Sequence, residues 1–334
     1  MTAAARSDGW AGRRVYVTRP LPAPGTSPLT EAGLVVDQQA EDRPATRDEL
    51  LAHVAEADAL LCMLTERIDA QALAAAPHLR VVANLAVGYD NVDVAAATAA
   101  GVVVTNTPDV LTEATADLTW ALILAAARRA GEAERMVRDG RWAGWGPTQL
   151  LGQPVWGRTL GIVGLGKIGA AVARRGRGFG MDVVYHNRQR APDAEADLGA
   201  RHLPLDELFA TADVISLHAP LNDQSRHLID AAALARMKPT AVLVNTARGA
   251  LVDEAALVDA LASGSIAAAG LDVYEREPEL APGLRDLEQV VLLPHIGSAT
   301  TQARGAMAEL CCRNILAVLA GEPALTPLNP EVQH

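Results

Sequence analysis

The sequence has little positive charge for its length. Its 334 residues include 29 Lys and Arg against 40 Asp and Glu, which gives a formal net charge of -11. Because neutralising a phosphate backbone requires a surplus of cations, this balance argues against a nucleic-acid partner. It does not exclude a small anionic ligand, since a few cations can cluster inside an acidic surface.

Cysteines and long apolar runs are also scarce. Cys62, Cys311 and Cys312 are too few for a disulfide framework and are typical of reduced cytosolic thiols. Residues 1–14 lack the apolar core of a signal peptide, and the most apolar later stretch, 118–127, is too short to cross a bilayer. We therefore expect a cytoplasmic protein without a membrane partner. No spacing of histidines with cysteines or carboxylates predicts a metal site.

Short apolar runs alternate with helical patterns along the chain, which is typical of parallel sheets covered by helices. One alternating series fills the N-terminal third, and a second begins at Leu160. We therefore predict an α/β fold with two doubly wound parallel-sheet domains. The last elements are expected to return to the first domain. A dinucleotide-binding domain, 109–296, would then be inserted into a substrate domain, 1–108 plus 297–334.

One loop after an apolar strand has the glycine spacing of a dinucleotide-binding turn: Gly164, Leu165, Gly166, Lys167, Ile168 and Gly169. The first glycine allows the tight turn, the second lets the backbone approach a pyrophosphate, and the third lets the helix pack on the strand. The N-terminus of the following helix offers N–H groups to the anion. An ordinary strand–helix turn is the alternative, and the strand-loop-helix context favours the cofactor site.

The residues after the next strand bear on the choice of cofactor. An NAD site carries an Asp or Glu about 20 residues after the start of the glycine loop. Here Asn187, Arg188 and Arg190 occupy this region, and a carboxylate is missing. The two arginines can bind the additional phosphate of NADP, so NADP(H) is favoured and NAD(H) remains possible. Alternatively, both arginines are solvated and Asn187 only hydrogen-bonds the ribose.

Charged residues follow three further predicted strands: Arg248, Glu277 and His295. Open α/β folds bind their ligands at the carboxyl ends of the strands. Each residue alone is compatible with a polar strand end, but the three together indicate a catalytic site.

These three segments, together with residues 84–93 and 104–112, resemble the D-isomer-specific 2-hydroxyacid dehydrogenases over almost the whole chain. In that family an Arg in an N-x-A-R-G context, a Glu 29 residues later and a His in a P-H-I-G context form the active site, as Arg248, Glu277 and His295 do in this sequence. The spacing of 18 residues between Glu277 and His295 resembles that of the glyoxylate and hydroxypyruvate reductase branch. The resemblance implies a Rossmann-like nucleotide domain inserted in a flavodoxin-like substrate domain.

The resemblance also implies the reaction, which is reduction of glyoxylate or hydroxypyruvate to glycolate or D-glycerate. His295 would give a proton to the carbonyl oxygen that receives negative charge, because imidazole titrates near neutral pH. Glu277 would orient the ring and favour its protonated form. Arg248 would hold the substrate carboxylate and polarise the carbonyl. Backbone N–H groups of Val87 and Gly88 would complete the carboxylate site.

Further site residues follow from the resemblance alone. Asp272 would hydrogen-bond the nicotinamide amide, with a strand-end cap as the alternative. Ser298 would contact the substrate, and Arg248 and His295 would also contact the cofactor. The remaining cofactor positions are Ala219, Pro220, Thr246, Ala247 and Gly297.

The sequence leaves the assembly and the exact activity open. Trp142 or Trp145 would reach the partner's active site in a homodimer, or would pack at the dimer interface. A D-lactate or 3-phosphoglycerate type of D-2-hydroxyacid dehydrogenase is the alternative enzyme. A nucleotide-sensing regulatory protein on the same fold is the alternative outside enzymes.

Overall fold

Strands and helices alternate along residue 10 and residues 12–332, the part of the chain that a computed structural model describes. The strands within these residues are β1 (Arg14–Val17), β2 (Val35–Gln38), β3 (Ala59–Cys62), β4 (Val81–Asn84), β5 (Val103–Thr105), β6 (Thr159–Val163), β7 (Asp182–His186), β8 (Arg201–His202), β9 (Val214–Leu217), β10 (Val242–Asn245), β11 (Ala268–Leu271) and β12 (Val290–Leu292). The helices are α1 (Ser27–Glu31), α2 (Arg47–Val54), α3 (Ala70–Ala74), α4 (Val94–Ala99), α5 (Thr112–Ala127), α6 (Ala130–Arg138), α7 (Lys167–Gly176), α8 (Pro192–Leu198), α9 (Leu205–Thr211), α10 (Ala231–Arg236), α11 (Glu254–Ala262) and α12 (Thr301–Leu319).

The first of two units consists of the chain up to Leu111 and from Ala299 onward. Its sheet is parallel, in the order β2-β1-β3-β4-β5. Helices α2, α3 and α4 cover one face, and α1 and α12 cover the other. Every residue of β3 and β4 is therefore buried, which explains why these strands are apolar almost throughout. The strand order is that of flavodoxin-like folds.

The second unit is Thr112–Ser298. Its strands are parallel in the order β12-β11-β10-β9-β6-β7-β8. Helices α5 and α7 pack on one face of the sheet, and α9, α10 and α11 pack on the other. The strand order reverses between β6 and β9, and Rossmann-like folds bind a dinucleotide at the carboxyl ends beside such a reversal. The predicted α/β class with two doubly wound parallel sheets is confirmed.

The observed units divide after Leu111 and after Ser298, whereas the sequence places the boundaries at 108 and 296. The roles assigned to the two domains stay predictions.

The three cysteines are free and buried. No helix in the described residues is sufficiently long and apolar to span a membrane, and these residues contain no cluster of His, Cys, Asp or Glu able to hold a metal ion. Residues 1–14 were expected not to form a signal peptide, and residues 1–9 and 11 of this segment lie outside the described residues.

Candidate active site

The glycine loop joins β6 to α7 and has one open side. Gly164 has φ +99°, and a Cβ atom there would lie 2.6 Å from the Ala219 nitrogen. A Cβ at Gly169 would lie 2.3 Å from the Gly164 oxygen, whereas a Cβ at Gly166 would meet nothing within 4 Å. No side chain caps α7. The loop therefore leaves room beside Gly166 and an uncapped helix N-terminus, and both fit a dinucleotide pyrophosphate.

Asn187 directly follows β7 and braces this loop. Its Oδ1 atom accepts a hydrogen bond of 2.7 Å from the Leu165 N–H, and its Nδ2 atom donates to the Leu165 oxygen at 3.4 Å. The Gly164 N–H donates to the His186 oxygen at 3.0 Å. The side-chain amide of Asn187 thus fixes the loop conformation. Its contact with a ribose stays a prediction.

The two arginines after β7 differ in their surroundings. Arg188 is exposed and makes no hydrogen bond or ion pair with any described residue. Arg190 is paired with Glu195 of α8, with Nη2 2.5 Å from Oε2 and Nε 3.0 Å from Oε1. Sequence reasoning missed Glu195, because the partner of Arg190 depends on how α8 folds back on β7.

Arg248 lies in a tight turn after β10. Asn245 closes this turn, since its Oδ1 accepts from the Ala247 N–H at 3.0 Å and its Nδ2 donates to the Arg248 oxygen at 2.8 Å. A Cβ at Gly249 would lie 1.8 Å from the Tyr274 carbonyl carbon. Only glycine fits there, because backbone packs directly on backbone. The turn that carries Arg248 is therefore pressed against the loop that carries Glu277.

Glu277 and His295 form a hydrogen-bonded pair at the ends of β11 and β12. His295 Nδ1 lies 2.8 Å from Glu277 Oε2, and the Tyr274 N–H donates to Oε1 at 3.0 Å. Burial raises the pKa of Glu277, but the hydrogen bond from His295, the Tyr274 N–H and the charge of Arg248 outweigh it and hold this pKa below its ordinary value. The carboxylate can only accept, so Nδ1 carries the hydrogen. The ring Nε2 makes no hydrogen bond within the described residues.

Asp272 fixes the backbone on which His295 is carried. This carboxylate is 1 % exposed, and it accepts from the Ile296 N–H at 2.8 Å and the Gly297 N–H at 2.7 Å. The His295 N–H donates to the Asp272 backbone oxygen at 2.8 Å. Burial raises the pKa of Asp272, although both N–H groups oppose the rise. These bonds hold His295 at φ +53°, a region that non-glycine residues rarely adopt. The predicted contact of Asp272 with nicotinamide stays a prediction beside this strand-end role.

Glu254 supports the Glu277 loop and was missed by sequence reasoning. It is 4 % exposed at the start of α11, and its two oxygens accept from the Glu275 N–H at 2.6 Å and the Ala281 N–H at 3.1 Å. The buried carboxylate therefore ties together both ends of the segment that contains Glu277. The only available signal was an acidic residue directly after the Asp253 N-cap.

The other predicted substrate residues, Val87 and Gly88, belong to the first unit. Asn106 Nδ2 donates to the Val87 oxygen at 2.8 Å, and Asn84 Nδ2 donates to the Gly88 oxygen at 3.0 Å. The N–H groups of Val87 and Gly88 meet no acceptor among the described residues. Both amides are thus presented by a loop whose carbonyls are already fixed.

The remaining predicted positions lie after strands of the second unit. Ala219 and Pro220 lie two and three residues after the end of β9, and Gly297 and Ser298 follow His295. The Thr246 Oγ1 lies 2.9 Å from an α5 hydroxyl, Thr119 Oγ1. These positions share the carboxyl edge of the sheet with the glycine loop.

Comparison with known proteins gives the family of this chain. Residues 120–297 match the family model described as D-isomer specific 2-hydroxyacid dehydrogenase, NAD binding domain. A glyoxylate reductase from Thermococcus onnurineus is 51% identical over 323 residues, which are 96% of each chain. The crystal structure of a glyoxylate reductase from Paecilomyes thermophila has a TM-score of 0.86 and 36% identity, and the match covers 96% of this chain and 99% of that one. An NADPH-dependent glyoxylate/hydroxypyruvate reductase from Sinorhizobium meliloti, in complex with NADP and malonate, has a TM-score of 0.83 and 35% identity, with 97% and 99% covered.

Proposed function

Because the chain belongs to the D-isomer-specific 2-hydroxyacid dehydrogenases, we propose that it reduces glyoxylate or hydroxypyruvate to glycolate or D-glycerate. The observation that carries the proposal is the 2.8 Å bond between His295 Nδ1 and Glu277 Oε2, at the same sheet edge as the glycine loop. The names of relatives such as the T. onnurineus glyoxylate reductase support this choice of substrates.

The proposed reaction divides its tasks among three side chains. The reduced nicotinamide, when bound, supplies a hydride to the carbonyl carbon. Arg248 holds the substrate carboxylate and favours negative charge on the carbonyl oxygen. His295 gives its Nε2 proton to that oxygen, while Glu277 keeps the ring oriented and stabilises its charged form. The resemblance adds the free N–H groups of Val87 and Gly88 as carboxylate contacts.

The proposed cofactor is NADP(H) in preference to NAD(H). The glycine loop and α7 would receive the pyrophosphate. An exposed cation, Arg188, follows β7 where an NAD site would carry an acidic residue. The NADPH-dependent reductase from S. meliloti is a precedent within the family for this choice.

The test is steady-state oxidation of NADPH and NADH with glyoxylate, hydroxypyruvate, pyruvate and 3-phosphohydroxypyruvate. We expect the highest kcat/KM with NADPH and one of the first two acids. A higher value with pyruvate or 3-phosphohydroxypyruvate would move the assignment to another dehydrogenase of the family. Absence of oxidation with all four would favour a regulatory role.

We further propose that the enzyme is a cytoplasmic homodimer. The irregular segment after α6 exposes 84% of Trp145, 78% of Trp156 and 68% of Leu151. Large apolar side chains exposed together are typical of subunit interfaces. The three free thiols agree with a reducing compartment. Light scattering should give twice the 35.0 kDa mass of the chain, and a stable monomer at micromolar concentration would contradict the dimer.

A further inference from the structure

Two arginines lie two positions apart after β7, and one of them, Arg190, is paired with a carboxylate. Arg188 is exposed and makes no ion pair or hydrogen bond with the described residues. Arg190 is held by both oxygens of Glu195, at 2.5 and 3.0 Å. This two-pronged geometry is the strongest arrangement that a guanidinium and a carboxylate form.

The carboxylate that holds Arg190 is itself anchored. The side chain of Glu195 is 16% exposed, and its Oε1 accepts from the Tyr185 hydroxyl at 2.5 Å. The Tyr185 oxygen in turn accepts from the Ala191 N–H at 2.8 Å. The hydrogen bonds from Arg190 and then from Tyr185 lower the pKa of Glu195 to about 2. Glu195 is therefore charged at neutral pH and fixed to the strand that precedes the arginines.

This arrangement lies beside the glycine loop. Asn187 contacts Leu165 of the loop at 2.7 Å, and Arg188 is the next residue along the chain. In Rossmann-like folds the ribose of the adenosine half is bound at this point. A phosphate on that ribose would thus approach Arg188 first. To bind the Nε and Nη2 atoms of Arg190, it would have to displace Glu195, and at Nη1 it would lie next to a second anion.

We propose that Glu195 sets the preference between NADPH and NADH by withholding Arg190 from the 2′-phosphate, so that Arg188 alone binds this phosphate. The inference rests on the proposed function only in requiring an adenine dinucleotide as cofactor. It narrows the expectation that Arg188 and Arg190 both bind the phosphate to Arg188 alone. Neutralising Glu195 releases a second cation and strengthens the selection of the phosphorylated cofactor.

The experiment compares two probes that differ only by the phosphate in question, 2′,5′-ADP and 5′-AMP. Their dissociation constants are measured by calorimetry on the full chain. In Glu195→Gln, which can still accept from the Tyr185 hydroxyl, we expect 2′,5′-ADP to bind about three- to tenfold more tightly and 5′-AMP to bind unchanged. Arg188→Ala should weaken 2′,5′-ADP about tenfold or more, and Arg190→Ala should change it less than about twofold.

Two controls separate the inference from general effects of charge and structure. Glu132→Gln releases Arg129, which Glu132 holds at 2.8 and 2.9 Å in the same unit, and it should leave both probes unchanged. The double variant Glu195→Gln/Arg190→Ala should lose the gain of the single variant, because the gain comes from the released guanidinium.

Several results would overturn the inference. In Glu195→Gln, unchanged or weaker binding of 2′,5′-ADP would show that Glu195 does not withhold Arg190, and weaker 5′-AMP binding would assign Glu195 to the ribose. Equal losses in Arg188→Ala and Arg190→Ala would restore a shared phosphate site. These readouts involve no 2-oxo acid, so failure of the proposed reduction would leave them interpretable.

Discussion

Both sheets collect polar side chains at their carboxyl edge, but a network in the first unit is more deeply buried than the Glu277–His295 pair of the second. In the first unit, Thr18, Glu66 and Asn84 are 0, 2 and 0% exposed. The Thr18 hydroxyl donates to Glu66 at 2.8 Å, and Asn84 Nδ2 donates to the Gly88 oxygen. In the second unit, the side chains of His295 and Glu277 are 29 and 33% exposed.

The difference in burial indicates a supporting network in the first unit and a reactive pair, Glu277 and His295, in the second. Buried polar groups whose hydrogen bonds are all made rigidify the segments that they join. The edge of the first unit can therefore hold the loop of Val87 and Gly88 in place. A partly exposed imidazole with one ring nitrogen bound to a carboxylate can exchange a proton through the other. Partial exposure and a ring nitrogen without a hydrogen bond distinguish His295 from the buried polar groups of the first unit.

The largest effect is expected on removing the imidazole of the second unit. His295→Ala should lower kcat for glyoxylate by about a thousandfold, because the proton donor is lost. The dissociation constant of NADPH, measured by fluorescence titration, should change less than about twofold. A matched control is His227→Ala, since His227 Nε2 also bonds a carboxylate, that of Glu275, at 2.9 Å. Comparable losses in the two variants would remove His295 from its special role.

A smaller effect is expected in the network of the first unit. Asn84→Ala removes the donor to the Gly88 oxygen and leaves buried groups unpaired, which should cost about 1–3 kcal/mol of unfolding free energy. KM for glyoxylate should rise about tenfold while kcat changes little, because the amides of the loop lose their support. Urea unfolding and steady-state kinetics measure both quantities. A variant that loses kcat with an unchanged KM would place this network in the chemical step.

The sequence predicts the parts of the site that depend on local pattern. The glycine loop is recognised because its neighbours form a strand and a helix, and Arg248, Glu277 and His295 are recognised because charged residues follow apolar strands. Strand alternation similarly predicts two parallel sheets.

The supporting contacts could not be predicted, because they join elements that meet only after folding. Glu254 reaches the Glu277 loop from another helix, and Glu195 reaches Arg190 because α8 turns back on β7. The bond between the Asn187 amide and Leu165 was likewise not expected, and the ribose contact of Asn187 stays a prediction. Residue types suggest candidate ligands, whereas the pairing of their charges is a property of the packed chain.

In the proposed reaction the Glu277–His295 pair supplies the proton. The pH dependence of kcat/KM for glyoxylate, measured with saturating NADPH in the wild type and in Glu277→Gln, tests this claim. The pKa of Glu277 lies below its ordinary value, so this carboxylate stays charged from about pH 6 to 9 and contributes no limb there. A carboxylate beside the imidazole favours its protonated form, so loss of this charge should move the alkaline limb of kcat/KM to lower pH. An alkaline limb at the same pH in both proteins would contradict the claim.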